Sequence, residues 1–134
     1  MHTEPLSNIA FPKLLVLCPH PDDFDVAGVT LRSLSRKGAE IYVAVAPTSS
    51  GVLSSFYTED VSVEVRMATR EAEQRESLLF FGLEASQFEF FPYCCDLDGN
   101  GELAYSERNR QLVERCVTQQ QPDAIFIPHP NDAN

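Results

Sequence analysis

The sequence predicts an α/β domain of the Rossmann-like kind, with a mostly parallel sheet and helices on both faces. Three observations lead there. Continuous apolar runs such as Leu14-Leu15-Val16-Leu17-Cys18 suit strands buried on both faces, not the alternating strands of a half-exposed sheet. These runs alternate with helical stretches, and strand, helix, strand in succession make a βαβ unit with parallel pairing. The length of 134 residues suffices for one compact domain and is too short for two ordinary ones.

Each element has its own signal. Residues 1–12 are mixed and polar with Pro5 and Pro12, and read as a loose arm ahead of a domain spanning 13–134. The first strand, 13–18, is stopped by Pro19 and Pro21. Asp22 and Asp23 stand where a helix begins, Ala27, Leu31 and Leu34 give its apolar stripe, and Gly38 supplies its C′ residue. Residues 40–46 form the second strand. A long Ser-, Gly- and Thr-containing loop follows over 47–60, of a length that often carries function. Val61, Val65, Ala68, Ala72 and Leu79 predict the inward face of a long helix closed near Gly82. Glu64, Arg66, Arg70, Glu71, Glu73, Arg75 and Glu76 predict its solvated face. A third strand is expected over 87–91. A helix over 105–118 should turn Leu112, Val113 and Cys116 inward, and a fourth strand should run over 124–127 after the Pro122-Asp123 turn. Ligands of such sheets bind beyond the carboxyl ends of the strands, and His20 and His129 follow the first and fourth strands onto that edge.

Composition excludes some functions. Ten Lys and Arg against twenty Asp and Glu give a formal charge of -10, unsuited to neutralising phosphates on nucleic acid or to docking on an anionic membrane. No apolar run reaches the roughly 20 residues that span a bilayer, and the first residues lack the pattern of a secretory signal. Cys18, Cys94, Cys95 and Cys116 fit neither a disulfide framework nor a CxxC metal knuckle, and read as reduced thiols of a cytoplasmic protein.

Chemistry concentrates in Pro19-His20-Pro21-Asp22-Asp23. Imidazole and carboxylate are ligand types that suit zinc, and a carboxylate beside the metal can accept a proton from water. The turn reads equally as two aspartates capping a helix and a histidine satisfying the backbone. The segment from Leu14 to Asp23 resembles the first motif of the PIG-L/LmbE-like zinc-dependent N-acetylglucosaminyl deacetylases. Similarity continues, in order, through Gly28, Thr48-Ser49-Ser50-Gly51-Val52, Arg70-Glu71-Ala72-Glu73-Gln74, Pro122-Asp123 and the closing Pro128-His129-Pro130-Asn131-Asp132-Ala133-Asn134.

That resemblance implies His20 and Asp23 as ligands of Zn2+ or another divalent metal, and Asp22 as general base. It adds Asp25, Arg70, His129, Asn131 and Asp132 as residues that contact substrate or support the site from behind, with a surface ion pair as the alternative for Arg70 and Glu71. It implies hydrolysis of an acetyl group from an N-acetylglucosamine-type amide, the substrate being a small amino-sugar conjugate or a glycolipid head group. Phe24 stands where the family often has Glu, while Asp25 matches a variant with the acid one place later. The family's third ligand is a late histidine, expected beyond Asn134, with this chain the N-terminal portion of a longer domain. The alternative is a non-catalytic α/β binding domain with an incomplete metal site. Oligomeric state is open, a homo-oligomer included.

A second motif competes. Asp96, Asp98, Asn100 and Glu107 occupy positions 1, 3, 5 and 12 of a twelve-residue calcium loop with Gly101 at 6 and Glu102 at 7, so Ca2+ binding is a further alternative. The loop lacks a partner hand, and a strand is expected where its incoming helix would lie.

Overall fold

A computed structural model of the chain describes residues 11–46, 62–92 and 107–128. The elements are β1 (Lys13–Cys18), α1 (Asp23–Arg36), β2 (Glu40–Val45), α2 (Val63–Phe81), a 3-10 turn (Ala85–Gln87), β3 (Phe88–Phe90), α3 (Glu107–Gln120) and β4 (Ala124–Phe126). All four strands run parallel in the order β3-β2-β1-β4. The α/β class and the parallel sheet are therefore as expected. So are the bounds of β1. The helix after it is longer than the ten or so residues its stripe marked, at 14.

β1 sits between β2 and β4, in register Leu14↔Ile41 on one side and Leu14↔Ala124 on the other. Its side chains alternate between two cores. Leu14, Val16 and Cys18 join Phe24, Leu31, Leu34 and Leu78 beneath α1 and α2. Leu15 joins Ala44, Phe91 and Cys116 beneath α3, with Leu17, Leu112 and Val113 packed against them. Both faces of the strand are thus dry, which is why its sequence shows no alternation. Ahead of it, Phe11 packs against the first core and the Pro12 carbonyl accepts the Glu40 N–H at 2.8 Å. At the same end the Lys13 N–H donates to the Asp123 carboxylate at 2.8 Å, and the Asp123 N–H donates to the Lys13 carbonyl at 2.9 Å. This reciprocal clamp seats β4 against β1.

Both long helices on the first face end on glycines with φ of +94° at Gly38 and +104° at Gly82. There the Ala39 and Leu83 N–H groups reach back to the Leu34 and Leu78 carbonyls. Phe24 of α1 meets Phe81 of α2 edge-on, with ring centroids 4.9 Å apart.

The orientation of α2 corrects the sequence reading. Val65 and Leu79 are 51% and 49% exposed, and Ala68 and Ala72 also face solvent. Gln74 and Leu78, 2% and 0% exposed, lie on the opposite side, with Arg66, Arg70 and Phe81 half-buried there. Val61 lies outside the described residues. The cause is position along the helix. In the N-terminal half of α2, Arg70 meets Asp22 of the polar turn after β1, so the inward positions there are polar and Val65, Ala68 and Ala72 are left outside.

Two expectations follow. Burial, with Glu89 adding, pushes the Cys116 thiol from 9.0 up to about 12. An unfolded thiol ionises near 9 and the folded one does not, so the stability Cys116 contributes is complete below pH 9 and is lost as pH rises toward 12. Urea denaturation should therefore show a steeper alkaline fall for the parent chain than for Cys116→Ala, and parallel curves would remove this assignment. Gln74 buries both amide atoms with no partner among the described residues. Gln74→Leu should raise unfolding free energy by about 1–3 kcal/mol; a loss would reveal a hydrogen-bond partner.

Candidate active site

The chain moves from β1 to β2 and β3 on one side of the sheet, then returns to place β4 on the other side of β1. Such a reversal opens a crevice beyond the carboxyl ends of the two diverging strands. The turn from Pro19 to Asp22 lies at the β1 side of it. Pro19 and Pro21 end the strand and hold the turn tight, and Pro21 is buried. The Asp23 and Asp25 N–H groups bond back to the His20 and Asp22 carbonyls at 3.3 and 3.1 Å.

Within this turn the two aspartates do different work. The Asp23 carboxylate accepts the His20 backbone N–H at 2.7 Å, and the same oxygen lies 3.6 Å from His20 Nδ1. Their side chains are 18% and 26% exposed. Asp22 occupies the N-cap position of α1 but its side chain makes no capping bond. It projects to 70% exposure, 3.3 Å from the Arg70 guanidinium of α2, itself only 20% exposed. The capping reading of Asp22 therefore does not hold. A pair this open contributes about 0–1 kcal/mol at most, so its consequence is placement of the carboxylate.

Arg70, which the charge pattern alone assigns to solvent, is brought to the turn. Arg66 and Gln74 flank it one helical turn to either side, and the Nε atoms of both arginines are buried without an acceptor among the described residues. Gln74 and Arg66 were not among the sequence candidates. The signal available was the spacing 66, 70, 74, a polar line on one helix face. Asp25 is turned away toward α2, where it accepts the Ser77 hydroxyl. Cys18, last residue of β1, stays a neutral thiol, because burial, reinforced by Asp23 and Asp25, pushes it from 9.0 up to about 12.

His20 and Asp23 pass a first test as metal donors. Nitrogen and oxygen ligands about 2.0–2.2 Å from a tetrahedral zinc lie roughly 3.4 Å from each other, close to the 3.6 Å observed. Among the described residues no three of His, Cys, Asp and Glu gather around one point. His129, Asn131 and Asp132 lie outside the described residues, as do Asp96, Asp98, Asn100 and Glu102 of the candidate calcium loop. Glu107, the loop's last position, opens α3, and its carboxylate is engaged by Arg110 and Gln111, which holds it below the usual carboxylate range. A strand, β3, precedes the loop. Among the described residues no helix is long and apolar enough to cross a membrane.

The fold superposes on N,N'-diacetylchitobiose deacetylase from Pyrococcus horikoshii, solved with its inhibitor MPG, with a TM-score of 0.72 and 26% identity over 96% of this chain and 48% of that one. It also superposes on GalB, the 4-carboxy-2-hydroxymuconate hydratase from Pseudomonas putida KT2440, with a TM-score of 0.63 and 17% identity over 84% of this chain and 45% of that one, a likeness of fold alone. The chain thus spans about half the length of these solved structures. No curated protein matches it in sequence. The family model described as PIG-L, GlcNAc-PI de-N-acetylase, matches residues 15–134, from within β1 to the last residue, and the chain belongs to that family.

Proposed function

We infer that the protein is a zinc-dependent hydrolase that removes the acetyl group of an N-acetylglucosamine-type amide, with residues 13–134 in its deacetylase domain. The observation that carries this reading is the division of labour in the turn after β1. His20 and Asp23 are paired side by side, while Asp22 is exposed, free of capping duty and held by Arg70. Membership of the PIG-L family and the likeness to a deacetylase support it.

In this reading His20 and Asp23 would hold the zinc, with a third donor from outside the described residues. A zinc ion there supplies Lewis acidity toward an amide carbonyl. Asp22 accepts the proton of the attacking water as general base, and its exposure puts the carboxylate where a substrate can reach it. Arg70 fixes the direction of that carboxylate from the facing helix. The departing amine needs a proton, which the protonated Asp22 can return to it, and we assign contacts to substrate to His129, Asn131 and Asp132, which follow β4 in the sequence. Asp25, engaged with Ser77, serves as a support between α1 and α2 and reaches the sugar only if that bond opens.

Metal content and amine release, measured on the longest natural form carrying this chain, separate the roles. His20→Ala and Asp23→Ala should each lower bound zinc about 10–100-fold. Asp22→Asn should keep its zinc and lose amine release from an N-acetylglucosamine substrate by about 10²–10⁴-fold. Stoichiometric zinc in both alanine variants overturns the ligand assignment. Equal loss of zinc and activity in Asp22→Asn would move Asp22 into the coordination shell, and no amine release by zinc-loaded parent protein ends the deacetylase reading.

A further inference from the structure

Among the described residues one polar side chain is buried in full, that of Gln74, and neither its amide oxygen nor its amide nitrogen has a partner there. A buried amide left unbonded lowers stability. Leu78, one helical turn on, shows that the same face of α2 takes an apolar side chain at full burial without that cost. Gln74 is also too deep to meet a substrate, so any part it has in the site passes through a neighbour.

That neighbour is Arg70. Residues four apart on a helix stand side by side, and the Arg70 Nε–H is itself buried with no acceptor among the described residues. An unmet donor and an unmet acceptor therefore occupy successive turns of one helix face. Arg66, one turn before Arg70, carries a like charge at the same spacing, which disfavours that side for the Arg70 guanidinium and favours the side of Gln74. At its tip Arg70 lies 3.3 Å from the Asp22 carboxylate, longer than the roughly 2.7–2.9 Å of a tight charge-assisted bond. In the free chain Arg70 is thus held by one loose ion pair, with its Nε–H unmet.

We propose that Gln74 is a positioning residue for Asp22, acting through Arg70. When a bound amino sugar fixes the Asp22 carboxylate, the Arg70 Nε–H donates to the Gln74 amide oxygen, and the guanidinium is held at both of its ends. The inference rests on the assignment of Asp22 as general base. Gln74 then costs stability in the free chain and acts in the occupied one, the relation expected of a side chain kept for function at the expense of stability.

The test uses the longest natural form carrying this chain, loaded with zinc. Gln74→Leu should lower kcat for amine release from an N-acetylglucosamine substrate by about 10–100-fold, at unchanged KM and zinc content, while unfolding at higher urea than the parent. A side chain that only packs would move the urea midpoint and leave kcat alone. Gln74→Glu keeps an acceptor oxygen in place and should retain most of the parent's kcat. In an Asp22→Asn background Gln74→Leu should cost nothing further, because the carboxylate it positions is gone. Hydrogen exchange at the Arg70 Nε–H, its signal identified by its absence in Arg70→Lys, reads the bond without turnover. Saturating glucosamine, the product amine, should slow that exchange in the parent and in Gln74→Glu, and leave it unchanged in Gln74→Leu. A Gln74→Leu variant with the parent's kcat, a full further loss in the Asp22→Asn background, or exchange in the parent that glucosamine does not slow overturns the proposal. A parent that releases no amine ends the deacetylase reading instead, and exchange slowed by glucosamine in that same protein would still assign Gln74 to Arg70.

Discussion

A strand bonded on both edges and buried on both faces can carry nothing polar in its side chains and leave nothing unpaired in its backbone. From Leu14 onward β1 lives under that constraint, with β2 on one side, β4 on the other, and a core above and below. Its chemistry is displaced to its end, where the backbone leaves the sheet. Pro19 and Pro21 make that exit abrupt, and His20, Asp22 and Asp23 stand between and just after them. The position of His20, Asp22 and Asp23 is thus set by the burial of Leu14, Leu15 and Val16 and by where that burial stops.

The scaffold alone does not choose a reaction. GalB, a hydratase, shares the fold at 17% identity, and a deacetylase shares it at 26%. What distinguishes this chain is the side chains at the crevice. A buried amide at Gln74 and two arginine Nε atoms, all without a partner among the described residues, lie on the helix that faces the turn. Each such group costs about 1–3 kcal/mol when left unmade, so natural chains keep them for a reason. They share the helix face that sets Arg70 beside Asp22, so α2 presents polar groups to the turn as well as covering the sheet.

Much of the architecture was legible in the sequence because local signals agreed. The apolar run of β1, the prolines after it and the glycines that end α1 and α2 each follow from short-range chemistry, and Cys116 turned inward with Leu112 and Val113 as its spacing implied. The facing of α2 was not legible. Periodicity rewards Val65, Ala68, Ala72 and Leu79, yet the helix rotates to set Arg70 beside Asp22 and Gln74 and Leu78 inside. An amphipathic stripe reports the inward side only where the surface beneath is apolar throughout, and here Arg70 and Ser77 of α2 meet the carboxylates of Asp22 and Asp25. In the site, the identity of the turn was readable from residue types. The separate tasks of its two aspartates depend on side-chain direction, which spacing does not encode.

The clamp between Lys13 and Asp123 has a kinetic consequence. It joins residues 110 apart in sequence, whereas β1 meets β2 across a single intervening helix. Closing so long a loop is slow relative to forming the neighbouring pairs. The β1-α1-β2 unit can order early, with one edge of β1 open until β4 arrives. The crevice then assembles after the β1-α1-β2 unit, and substitutions in β4 should show φ-values near zero while those in β1 and α1 show higher ones. During synthesis on the ribosome the same order leaves the edge of β1 unpaired for most of the chain's length, the interval in which a nascent chain of this topology most needs protection from pairing with its neighbours.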